Sequence, residues 1–314
     1  MRPFVVFKDG KMGAIDESGK VKIPALYDSL VGFRDGLSPV LIEGKYGYIA
    51  SSGEIAIPPE FDDANCFSCS LARVKKRGDT FFISTSGKRI SDSFYHAKDF
   101  AEGFAEVQRS MTSNWGFIDS LGRNAIEPRF DATSCFSEGV AAVAIDWKWG
   151  FISPVGKFEI LNKFTSARKF SEGLAAVSLD PKLGRFGFID RTGELIIPSK
   201  FSGSDLLFSN GLAPVWDEGS FGFINKVGEV VIPYQFYDAK GFSEGRCVVG
   251  IQRKGRTLYG FIDEAGNWVV RPSFYFANSF ENGLARVNSD PQGADEAWGY
   301  IDRNGKWLWR PNAL

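Results

Sequence analysis

Cys66 and Cys69 flank a Phe-Ser pair, a spacing suited to a redox dithiol or to half of a tetrahedral zinc site. Four ligands would need a second cysteine pair or a histidine pair, and the chain has four cysteines and one histidine. Cys66 and Cys135 fill the same slot of a recurring phrase, while Cys247 takes a slot held elsewhere by Ala72, Ala142 and Ala175. These thiols read as structural filler. His96 stands where other copies carry Asp or Thr, and no nucleophile or acid is tied to it by spacing, so it reads as a surface residue. Glu102, Glu138, Glu172 and Glu244 recur in one slot and could form a row for a cation or a basic partner, but Asp35, Cys69, Asn210 and Asn282 interrupt it. Asp16, Asp119, Asp190, Asp263 and Asp302 form another row, each three residues before a glycine, which is a turn position rather than a catalytic one. No phosphate loop, zinc helix or nucleophile elbow occurs, so no enzyme, no metal and no cofactor is expected.

All these residues sit in one repeating sentence, written most fully as Trp115-Gly116-Phe117-Ile118-Asp119-Ser120-Leu121-Gly122. The anchor Gly116 has equivalents at Gly13, Gly47, Phe81, Gly150, Gly187, Gly222, Gly260 and Gly299, spaced by 34 to 39 residues. A second glycine follows six residues later at Gly19, Gly53, Gly87, Gly122, Gly156, Gly193, Gly228, Gly266 and Gly305. A period of this length marks a solenoid, a propeller or an array, and it runs unbroken, so residues 1–314 are expected to form one domain of nine repeats.

Each repeat offers three short segments rich in Val, Ile and aromatics and bounded by Gly or Pro: Leu-Ala-x-Val, aromatic-Gly-aromatic-Ile, and x-Ile-Ile before proline. They read as strands, with the second and third joined by a turn that Asp caps and Gly closes in the left-handed region. The anchor glycine lies inside a strand, where glycine is unfavourable unless a bulge or a close backbone approach requires it. Its flanking aromatics, Trp115 and Phe117, Trp149 and Phe151, Trp298 and Tyr300, share one face by the period of two. They are expected to stack into a buried spine, with glycine making room for a neighbouring repeat. An exposed aromatic ladder for glycans would look similar. The phrase Phe170-Ser171-Glu172-Gly173 and its variants supply the joint between repeats.

Composition narrows the function. Lys plus Arg, 37, nearly equals Asp plus Glu, 38, leaving no long-range field to gather nucleic acid or anionic lipid. No apolar run approaches the length of a membrane helix, and the residues from Met1 are too short in apolar content for a signal peptide. As it stands, the chain is expected in the cytoplasm.

These motifs resemble the WG-repeat family, also called KWG repeats, whose name-giving phrase is present as Lys148-Trp149-Gly150-Phe151-Ile152. The resemblance covers essentially the whole chain and departs locally, at Phe81 and at Ser91 where other copies have proline. It implies a β-rich repeat scaffold, mainly of bacterial proteins, and no shared catalytic residue.

The termini stop in phase with the repeat and neither carries a surplus strand, so the expected fold is an all-β, open twisted array of nine three-stranded repeats. The alternative is a closed β-propeller-like ring. Length varies in one place. From the valine closing the first strand to the anchor is seven residues in five copies, but nine after Val107, ten after Val177, eleven after Val249 and twelve after Val287. The longer loops nominate partner contacts: Arg109 and Asn114; Asp180, Lys182 and Arg185; Arg253, Lys254 and Arg256; Asp290, Gln292, Asp295 and Glu296. The expected function is a non-enzymatic scaffold for protein–protein interaction through that loop face, with glycan or small-molecule binding as the alternative and a carboxylate-based enzyme as a third reading. No nucleic acid partner is expected.

Overall fold

The computed structural model describes residues 3–180, 184–203, 205–217 and 219–310. Among them the chain is all-β save for one 3₁₀ turn, Asp295–Ala297, and forms nine antiparallel sheets in sequence order. Two compact units divide the chain, residues 1–162 and 163–314. In the first unit, the second sheet shows the full pattern: a two-residue leading strand Ser29–Leu30, the Leu-Ala-x-Val-type strand Leu37–Ile42, the anchor strand Lys45–Ala50, and the proline strand Ile55–Phe61. In the second unit, Ser166–Ala167, Ala175–Ser178, Phe186–Ile189 and Leu195–Phe201 repeat it.

Two expectations are corrected here. Among the described residues, six of the nine sheets have four strands rather than three. In five of these six the added strand is the pair of residues that follows the proline strand, and its second residue pairs with the valine of the next strand, as Leu30 with Val40 and Ala239 with Val249; in the fifth sheet it is longer, Ala132–Ser137. Two residues are too few to show periodicity in a sequence. The proline strand also continues through its proline to the phenylalanine three residues on, because proline is tolerated where the N–H faces away from the ladder. A four-stranded antiparallel meander is the blade of a propeller, so the sheets match the propeller-like alternative rather than an array of three-stranded repeats.

Register is constant. The valine faces the anchor in every sheet, from Val6 opposite Gly13 to Val287 opposite Gly299. On its other side the anchor strand slips against the proline strand: Tyr46 pairs with Phe61 and Tyr48 with Ile57, so two extra residues bulge over Gly47. A methyl group on Gly47 would lie 2.6 Å from the Ile57 carbonyl oxygen, and one on Gly187 would lie 2.4 Å from that of Ile197. The anchor glycine therefore makes room for backbone of its own sheet, not for a neighbouring repeat. That contact belongs to the second glycine instead. Gly228, at φ +83°, has its α-carbon face against Ile197 of the preceding sheet, and Gly266 is placed likewise against Ile232.

The flanking aromatics also behave unequally. Those after the anchor are buried, whereas Trp115, Phe186 and Trp298, before it, are only half-buried. The spine is built by each buried ring meeting the joint phenylalanine of the next sheet. Tyr48–Phe67, Phe82–Phe100, Phe117–Phe136, Phe188–Phe208, Phe223–Phe242 and Phe261–Phe280 have centroids 4.8 to 5.3 Å apart. Edge-on and tilted ring pairs of this kind add to the free energy of burying the area itself.

The anchor clash gives a direct test. Gly187→Ala is expected to destabilise by about 1–3 kcal/mol, the range for overpacking. Gly241→Ala, where the nearest atom is 3.9 Å away, should be near neutral in the same urea titration.

Candidate functional site

The loops nominated from sequence all join the valine strand to the anchor strand, one per sheet. In their short form they are two-residue turns with both residues left-handed: Asp9-Gly10, Glu43-Gly44, Arg77-Gly78 and Lys254-Gly255. This backbone matches the twist of a hairpin, and glycine normally takes the second place because it has no Cβ to clash. The fifth sheet breaks the pattern with Asp146-Trp147, at φ +52° and +56°. Trp147 is 71% exposed, and its backbone N–H donates to Asp131 at 3.0 Å. It was not among the nominated residues, yet the sequence carries its signal: tryptophan in a slot that other short hairpins give to glycine.

The nominated residues fall into place differently. Arg109 and Asn114 bound a loop that folds on itself through Ser113, whose hydroxyl accepts from the amides of Arg109 and Ser110. Arg109 reaches back to Asn124 at 3.1 Å and Asp92 at 3.4 Å and lies over Phe94. Asp180 is exposed, Arg185 pairs with Asp217 at 3.1 Å, and Lys182 lies outside the described residues. Arg253, Lys254 and Arg256 are not in a long loop. The strands Cys247–Arg253 and Arg256–Ile262 extend past the usual hairpin length, so only Lys254-Gly255 turns, and Arg256 sits beside Tyr275. The extra residues became ladder because Ile251, Gln252, Thr257 and Leu258 can continue the pairing. The loop with Asp290, Gln292, Asp295 and Glu296 is the true long one. Buried Asn288 ties it down by donating to Ala294 O and accepting from Asp290 N, and the Asp290 carboxylate caps its turn. Asp290 and Glu296 line a cleft of about 720 Å³ with Val270, Phe274 and Trp307.

The acidic row has partners in the backbone. Each joint turns through a left-handed residue, and at four of them that residue's carboxylate accepts amide hydrogens of the joint one repeat later. Asp35 accepts from Ser70, Glu102 from Glu138 and Gly139, Glu172 from Gly211, and Glu244 from Gly283, at 2.7 to 2.9 Å. The joint serines run a parallel ladder, with Ser68, Ser171 and Ser243 donating to the carbonyls of Phe100, Phe208 and Phe280. The turn aspartates act as sequence geometry requires: Asp119 Oδ1 accepts from the amides of Leu121 and Arg123. Buried Glu106 is closed off by Lys98 and by the Thr133 hydroxyl at 2.9 Å. Among the described residues no group of three or more His, Cys, Asp or Glu is placed to hold a metal ion. The four cysteines are free thiols, and burial pushes the Cys247 thiol far up its titration range. Exposed His96 stacks on Trp115, with centroids 6.3 Å apart. No helix among the described residues is long and apolar enough to cross a membrane.

With this geometry in place, the family is plain: the WG-containing repeat profile matches residues 12–46, 46–78, 115–148, 149–182, 186–215, 221–252 and 259–290. The chain belongs to the family of WG-containing repeat proteins. The copies anchored at Phe81 and Gly299 lie outside the matched segments. No curated protein sequence matches the chain. Among solved structures it is similar to Hsv2p of Kluyveromyces lactis, at 11% identity and TM-score 0.45 over 78% of this chain and 97% of that one. It is also similar to the extracellular domain of a putative hybrid two-component system of B. thetaiotaomicron, at 10% identity and TM-score 0.33, over 96% of this chain and 50% of that one. Likeness at this level assigns no ligand or partner.

The joint ladder predicts a pH response. Partial desolvation raises the Glu244 pKa, but the Arg303 guanidinium and the Gly283 amide outweigh it and hold the carboxyl below its usual value of 4.5. A lowered folded pKa means stabilisation that is present above the unfolded value and lost as pH falls through the folded one. Glu244→Gln should therefore lower the melting temperature at neutral pH, and the gap to the native chain should narrow as pH falls from about 5 to about 3.

Proposed function

We propose that this WG-repeat chain is a non-catalytic scaffold that binds a protein partner through the hairpins joining its valine and anchor strands, with Trp147 as the principal anchor. Trp147 carries the reading. A side chain in the left-handed region costs about 1–2 kcal/mol relative to glycine, and a large apolar ring in water gains nothing in return. Such a residue is explained by what it contacts when a partner is bound, and tryptophan is enriched among residues that dominate binding energy. Within its own unit the preceding hairpin is polar and exposed at Arg109 and Asn114, as suits the rim of a protein contact, and the hairpins of the second unit are of the same character at Asp180, Arg253, Lys254, Arg256, Gln292, Asp295 and Glu296. The burial of the rings after each anchor favours protein over a glycan ladder.

Trp147→Gly should act in opposite directions on stability and on binding. Thermal unfolding is expected to shift upward, by about 1 kcal/mol of added stability. Co-purification of specific proteins from the native host should fall at least tenfold. An unchanged set of co-purifying proteins, or saturable binding on a glycan array that is lost with Trp147, would overturn the reading.

A further inference from the structure

The third sheet is the one copy whose anchor is not glycine, and a cleft opens there. At seven of the other eight anchors a Cβ would sit 2.4 to 2.8 Å from the carbonyl oxygen of the strand that crosses it. Phe81 puts a whole ring into that space. The segment that should cross it cannot do so, and residues 88–95 form no continuous strand there: they meet the anchor strand through isolated bridges, Ile83 with Arg89 and Thr80 with Phe94, and through the Ile90 amide, which donates to Phe82 O at 2.9 Å. Ser91 stands four residues after Gly87, where Ile23, Ile57 and Ile197 are buried in other copies, and not in the proline place expected from sequence; it compensates for the lost ladder, its hydroxyl accepting from the Phe82 amide at 3.0 Å and donating to Asp92 O at 2.9 Å. Thr80 also replaces the aromatic that precedes the anchor in most other copies. What the displaced strand leaves is a cleft of about 320 Å³, within the size range of small-ligand sites.

Its chemistry is specific. Phe61, Phe81 and Ile83 form the apolar floor. Arg89 lies flat on Phe81, 4.2 Å from the ring centroid, and is fixed there by bonds to Ser91 O and the Ser93 hydroxyl. Its guanidinium plane is thus held in orientation at the cleft wall. Lys76 is paired with Glu60 at 2.7 Å, which leaves Arg77 and Arg89 against Asp79 as the remaining charges of the lining. A guanidinium fixed in one plane both stacks on flat rings and donates in parallel to a carboxylate or sulfonate.

We propose that this cleft is a binding site for a small organic anion that carries a flat apolar ring. The ring lies against Arg89 and the apolar floor, and the acid group takes hydrogen bonds from Arg89 and Arg77. The site is independent of the Trp147 hairpin and does not rest on the scaffold reading.

The probe is anilinonaphthalene sulfonate, followed by its fluorescence on the folded full chain, with neutral N-phenylnaphthylamine as the uncharged comparison. One saturable site is expected, with the neutral compound at least tenfold weaker. Arg77→Gln and Arg89→Gln should each weaken the sulfonate about tenfold, the value of a hydrogen bond to a charged group, and Arg77→Gln should do so at an unchanged melting temperature. Phe81→Gly, which lets the proline strand cross again, should abolish the site, whereas Trp147→Gly should leave it intact. Equal binding of the neutral compound, or sulfonate binding untouched by Arg77→Gln and Arg89→Gln, would overturn the proposal.

Discussion

The crossing of the proline strand over the anchor glycine is the constraint from which the rest of each sheet follows. It fixes the register on both sides of the anchor strand, with valine opposite on one edge and a two-residue bulge on the other. It also turns the ring after the anchor into the core, where the next joint phenylalanine can meet it. Every anchor glycine for which the approach is resolved shows a separation too short for any side chain. The third sheet supplies the converse: with Phe81 in place, the crossing fails and the fourth strand dissolves into bridges.

Between sheets a second set of contacts takes over, and it is polar as well as aromatic. A carboxylate from one joint meets amides of the next, a serine hydroxyl meets a carbonyl, and the turn glycine meets an isoleucine one sheet back. These are nearest-neighbour terms, so stability in such a chain accumulates from sheet to neighbouring sheet rather than from one shared core. The acidic row that could have suggested cation binding is a consequence of this arrangement.

Much of this was legible in the sequence, because the elements that recur are those with strong local causes. The anchor period, the Asp-capped turn and the joint phrase each need particular residue types at fixed offsets. The two-residue leading strand was not legible, since a pair such as Asp63-Ala64 carries no period. Neither was the division of labour between the two glycines, which depends on three-dimensional approach. Val249 to Gly260 read as a long loop because length alone does not distinguish slack from extended ladder. Trp147 stands apart for a different reason: the repeat shows what the copies share, and the meaning of Trp147 lies in the one place where a hairpin slot differs.

The joint ladder has a direction. Where the joint carries Asp or Glu, as at Asp35, Glu102, Glu172 and Glu244, a copy offers a carboxylate forward to amides of its successor, whereas Cys69, Asn210 and Asn282 offer none. Copies are in this sense cut with matching ends. Gain or loss of an entire acid-bearing repeat during evolution leaves the acid-to-amide junctions matched, whereas a break within one strands an acid or an amide. Copy number can therefore drift while the phrase itself cannot.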